Sequence, residues 1–151
     1  MTDTPAAPLD VQAIQRAIWE AHDNVKTLAS QAVALSFAER PTLCMIALDV
    51  ADHTDSAGAA LAGPDWAQSA LSGNSPFAKA MMPGQRHGAL HFLHMADAYV
   101  RGAAYTVTAV SDPDTRNALA PFVTRAMESI HRAIRELGEA PGGGVVGVVD
   151  A

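Results

Sequence analysis

Half of the chain's six histidines lie within eight residues, in the segment Arg86-His87-Gly88-Ala89-Leu90-His91-Phe92-Leu93-His94. Residues three and four apart are neighbours on a helix, so His87, His91 and His94 would share one stripe. Histidine is the commonest metal ligand and titrates near neutral pH without help. Three on one face point to metal binding or acid–base chemistry. Asp97 and Arg101 follow on the same segment. Asp97 falls on an apolar seam with Leu93 and Val100, where a carboxylate must be paired or hydrogen-bonded. His94 and Arg101, three and four residues away, are its near partners. The bland alternative is a structural ion pair with surface histidines around it.

Three further segments carry candidate groups. Asp49, Asp52 and His53 lie together, with His53 at a seam position and Asp49 one turn before it. An Asp that holds one ring nitrogen fixes the tautomer of the other, which serves a metal ligand or a general base. Glu128 and His131 form a Glu-x-x-His pair, which also occurs in ferritin-like di-iron bundles. Those bundles need the motif twice with two further Glu, and this chain has it once. Glu20, His22 and Asp23 make the third group, with His22 at the edge of a seam.

These residues need helices to position them, and the sequence supplies the spacing. Asp10 can cap a first helix over about 10–38, whose apolar residues Val11, Ile14, Ile18, Ala21, Val25, Leu28, Ala32 and Leu35 alternate by threes and fours. Pro41 suits the first turn of a second helix running to about 61, stopped by Gly63-Pro64. Residues 62–84 are rich in Gly, Pro and Ser, and read as a long crossover or lid with short helical pieces after Pro64 and Pro76. A third long helix covers about 85–110. Asp112-Pro113 then opens a fourth over about 113–137, with Pro121 expected to kink it or delay its start and Gly138 to end it. Residues 1–9 read as a polar arm and 138–151 as a Gly/Val-rich tail. The expected fold is all-α: one domain, a four-helix bundle with a long loop between its second and third helices.

Hairpin geometry then gathers the candidates. His94 lies 18 residues before Asp112 and His131 lies 19 after it. At ~1.5 Å rise per residue the two sit at nearly the same height. The same arithmetic about Arg40 leaves His22 and His53 about 7.5 Å apart in height.

Composition bounds the function. The 151 residues include 31 Ala and eight aromatics, with a formal net charge of −6. Few bulky side chains leave tight packing, an internal cavity or a partner subunit as ways to close the core. The acidic balance argues against nucleic acid and against an anionic membrane surface. The Ala- and Arg-rich usage is typical of a high-GC bacterial genome. Cys44 stands alone, so no internal disulfide forms. Residues 1–9 show no signal-peptide pattern, and no apolar run approaches the ~20 residues of a membrane span, so the expected location is cytoplasmic.

No phosphate loop, Gly-x-Ser-x-Gly, zinc-finger or Rossmann pattern is present. Arg16-x5-His22 and Arg125-x5-His131 resemble the Arg-x4–6-His motif of HEPN ribonucleases, but with eight Arg and six His about one such match arises by chance. A bundle of this size with a three-His metal site is similar in kind to the DinB-like family, with His53 and His87-x3-His91 in the matching parts. That resemblance is one of architecture.

The first functional expectation is a small-molecule enzyme with a histidine-rich site inside the bundle. Its metal form uses a divalent ion on His53, His91 and His94, with Asp97 or Asp49 as a fourth ligand or support. Its metal-free form uses His94 and Asp97 as an acid–base dyad, with Arg101 holding an anionic substrate group. The alternative is a non-catalytic ligand-binding or dimeric scaffold protein. A homodimer is expected in either case.

Overall fold

Asp10 opens the first helix as the spacing predicts: its carboxylate accepts the Ala13 amide at 3.0 Å, satisfying one of the donors that a helix start leaves orphaned. The structure is a computed structural model that describes residues 10–72 and 83–138. Within them are five packed helices: α1 (Val11–Ala34), α2 (Arg40–Ala62), α3 (Trp66–Ser72), α4 (Pro83–Thr108) and α5 (Pro113–Glu136). The polar arm, the expected short helix after Pro76 and the residues beyond Gly138 lie outside the described residues. No described helix is long and apolar enough to cross a membrane.

The ends follow local chemistry. α1 stops at Ala34 rather than near 38, because Leu35 turns to an extended conformation (φ −109°, ψ 156°) and its carbonyl accepts Arg40 Nη1 at 2.8 Å. Pro41 sits in the first turn of α2, where its missing N–H costs nothing. α2 ends at Gly63, whose φ of +85° only glycine adopts cheaply. Asp112 caps α5 through the Thr115 amide at 3.0 Å and hydroxyl at 2.7 Å, which hold its carboxyl below the usual carboxylate range. α5 begins at Pro113 without delay and runs through Pro121. Pro121 and Asn117 are both exposed, so the carbonyl that loses its donor lies on the solvent side.

The four long helices pack in a ring of neighbours: α1 and α4 each lie against both α2 and α5. Short α3 lies on α1 and α2 and occupies part of the crossover that the composition marked as a loop. α2 and α4 run antiparallel and close together. A Cβ on Gly88 would stand 3.4 Å from the Ala60 methyl, and one on Gly102 would stand 3.7 Å from Ile46 Cδ1. Buried alanines do the rest of the closing. Ala17, Ala21, Ala57, Ala96, Ala126 and Ala133 are all fully buried among Ile14, Ile18, Leu43, Leu93, Leu119 and Ile130. At the far end of the α4–α5 pair, Arg86 Nε donates to the Leu137 carbonyl at 2.8 Å, a cation placed where the helix dipole is negative.

Candidate functional site

Asp97 is the most deeply buried charged residue described, 2% exposed between Leu93 and Val100 on the inner face of α4. A carboxylate there is stable only if charged donors meet it. Two do. Arg101, one turn on, directs Nε to Oδ1 at 3.3 Å and Nη2 to Oδ2 at 3.1 Å. From α5, His131 Nε2 reaches Oδ1 at 2.7 Å. Because the carboxylate only accepts, Nε2 carries the proton and Nδ1 is the nitrogen left to exchange one. Nδ1 makes no hydrogen bond among the described residues. The side chains of His131 and Arg101 are 18% and 17% exposed against 3% for Asp97, so the group leads from the core to the surface.

The expected unit is thus assembled in part. Asp97 and Arg101 pair as their i, i+4 spacing implies. The imidazole that the structure supplies to the carboxylate is that of His131, where the spacing pointed to His94. His94 is half-buried and lines a surface groove on α4 with His87, Leu90, His91 and Met95. His87 and His91 are exposed there.

His53 points at α4, as its seam position implies. Its ring lies 5.1 Å from that of Tyr99 and 6.4 Å from that of Phe92. Asp49 does hold Nδ1, but through its backbone carbonyl at 2.7 Å and not through its carboxylate. His91 contacts the same Phe92 edge-on at 5.2 Å. The expected ligand set of His53, His91 and His94 is not brought together: among the described residues no three His, Cys, Asp or Glu side chains converge as a metal site. Glu128, the partner in the Glu-x-x-His pair, is exposed and lines a shallow groove on the outer face of α5 with Asn117, Pro121, Thr124 and Arg125.

A second polar cluster lies between α1, α2 and α3. His22 Nδ1 is 3.0 Å from Thr54 Oγ1. The Thr54 hydroxyl is also 3.0 and 2.9 Å from the carbonyls of Val50 and Ala51. It has one proton, which goes to a carbonyl, so the His22 Nδ1–H donates to it. Burial lowers the His22 pKa below its ordinary value, and Lys26 adds to the effect. His22 stands edge-on to Trp66, centroid to centroid 5.8 Å. Trp66 is 2% exposed, and its Nε1 donates to Asp55 at 2.9 Å. Gly58 makes room for the indole: a Cβ there would lie 2.1 Å from Trp66 Cδ2.

His22 and Thr54 are level with each other, so His22 and His53 are closer in height than the hairpin arithmetic implies. The early end of α1 is the reason. From His22 to Ala34 is 12 residues, and from Arg40 to Thr54 is 14. Two turns before His22, Gln15 is fully buried, and neither its Nε2 nor its Oε1 has a partner among the described residues. Each such orphan costs about 1–3 kcal/mol. Gln12, one turn earlier, donates Nε2 to the Ala70 carbonyl at 2.8 Å and leaves Oε1 buried without a partner.

Set beside known proteins, the chain matches no family model, and no curated protein or solved structure is similar to it.

Proposed function

We propose that the chain is a small-molecule enzyme working by acid–base chemistry at the α4–α5 junction. His131 is the group that exchanges the proton at Nδ1. Asp97 is a positioning residue: it accepts the hydrogen bond from Nε2–H, fixes the tautomer and stabilises the imidazolium once formed. Arg101 holds both Asp97 oxygens from one turn further along α4. The observation that carries this reading is the 2.7 Å contact between a buried carboxylate and a partly exposed imidazole on a second helix. On this reading the four long helices are a four-helix bundle, with α3 in the long connection between its second and third members.

The test uses p-nitrophenyl acetate, an ester that an activated imidazole hydrolyses. The expected result is that His131→Gln slows hydrolysis about 10²-fold, the lower end of the about 10²–10⁴-fold that a positioned acid–base group supplies. His91→Gln, on an exposed residue, leaves the rate unchanged. Asp97→Asn alters the pH profile of the rate, which a merely structural carboxylate would not. Equal rates in wild type and His131→Gln would sink the reading.

A second reading, a non-catalytic homodimer, is favoured by the exposed apolar side chains of Met45, Leu48 and Tyr105, each at least 60% exposed. Sedimentation equilibrium of wild type and Leu48→Lys decides it: a monomer in both removes the dimer.

A further inference from the structure

The second cluster holds a group that neither the acid–base chemistry nor the packing uses. Gln15 is fully buried, and both its donor and its acceptor are unsatisfied. Native interiors rarely leave a side-chain amide in that state, and an exception signals something that completes it. Its position says where that would come from. Residues 12, 15 and 22 fall on one stripe of α1, and both ends of the stripe touch α3. Gln12 Nε2 donates to the Ala70 carbonyl, and His22 stands edge-on to Trp66. Gln15 therefore lies on the part of α1 that α3 spans.

We propose that Gln15 is the recognition group of a ligand site beneath α3, for a small neutral molecule carrying an amide or lactam edge. A carboxamide presents an acceptor beside a donor in one plane. Its complement is a donor beside an acceptor in one plane, which is the edge of another amide, a lactam or a pyrimidine base. The ligand is neutral because Ile14 and Ile18, one and three residues from Gln15, are fully buried, and the Arg16 guanidinium is directed to the Ala70 carbonyl from an exposed position. Gln12 Oε1 offers a second buried acceptor on the same stripe. α3 is the cover. It has seven residues and lies on α1 and α2 through Trp66, which meets Asp55 and His22, and through Ala70, which accepts from Gln12 and more loosely from Arg16. Short elements open at the low end of a protein's stability range.

The experiment follows the side-chain amide of Gln15 in 1H–15N spectra, identified by its absence in Gln15→Met. The probe is δ-valerolactam, and cyclohexanone is the control, a ring of the same size without the N–H. The expected result is a saturable shift of the Gln15 amide pair and of the Trp66 indole N–H with the lactam, and no shift of the Gln15 pair with cyclohexanone. In Gln15→Met the lactam no longer shifts the Trp66 signal. That variant also melts about 4 °C or more higher, because it removes two orphaned groups of about 1 kcal/mol or more each at nearly constant volume. The proposal fails if the lactam leaves the Gln15 amide unmoved, if cyclohexanone moves it equally, or if the amide shows exchange with a bound water and no response to the lactam. A lower melting temperature for Gln15→Met also overturns it, because the amide would then already be satisfied.

Discussion

The α4–α5 junction and the α1–α2–α3 junction solve the same problem under different rules. Both bring polar side chains into an alanine-rich interior. At α4–α5 the buried group is charged, and each Asp97 oxygen meets a charged or chargeable donor within 3.3 Å. At α1–α2–α3 the polar groups are less fully met: burial holds the His22 pKa below its ordinary value, and Gln15 has no partner among the described residues. An ion in the interior without partners costs far more than an amide without them, so only the first region must be complete to exist. The second can remain open to something else.

Substitutions that strip each region of its own support test this contrast. The largest effect is expected from Arg101→Leu, which leaves Asp97 with His131 as its remaining described partner. Breaking a buried pair by removing one side costs about 3–5 kcal/mol, to be read from the urea midpoint. Gly58→Ala comes next. Its methyl meets the Trp66 ring and displaces the indole, and overpacking of this kind costs about 1–3 kcal/mol. If Gly58→Ala costs more than Arg101→Leu, the contrast between charged and neutral regions is wrong. Asp55→Ala takes the acceptor from Trp66 Nε1 and is expected to cost about 1 kcal/mol, with a blue-shifted or broadened indole emission as its mark.

The smallest effect is one of pH. The folded His22 has a pKa below its ordinary value near 6.5, so it resists a proton that the unfolded chain accepts. Stability from this residue is therefore fully present above pH 6.5 and is lost as pH falls below it. His22→Gln should flatten the stability curve below about pH 6.5 relative to wild type. Parallel curves would show that His22 titrates alike in both states, and the second region would lose its neutral character.

The helices were legible because their boundaries rest on local chemistry: Asp10 and Asp112 as caps, Pro41 and Pro113 in first turns, Gly63 and Gly138 at the ends. Asp97 and Arg101 were legible for the same reason, being four apart on one helix. His131 as the partner of Asp97 was not. Equal height pointed to His94, but a helical side chain leans toward the N-terminus of its own helix. In an antiparallel pair that carries His131 toward the higher-numbered residues of α4, and so to Asp97. His22 read as an edge residue because its partner, Thr54, is an uncharged residue on another helix, brought level only by the short α1. Gln15 carried no signal of chemistry at all. The available clue was its place between Ile14 and Ile18, one residue off the apolar seam and seven before His22.

The contact of Arg86 with the Leu137 carbonyl has a consequence for how the molecule opens. The turn at Asp112 already joins α4 to α5 at one end, and this bond joins them 51 residues apart in sequence at the other. Helix ends normally fray independently, each at little cost. Here the first turns of α4 and the last of α5 cannot loosen separately without breaking a shared link, with Gly138 packed beneath the guanidinium. Amide exchange at these two termini should therefore proceed at matched rates and slow or quicken together. The two helices make one cooperative unit, and the Asp97–His131 pair between them keeps its geometry for as long as that unit stays shut.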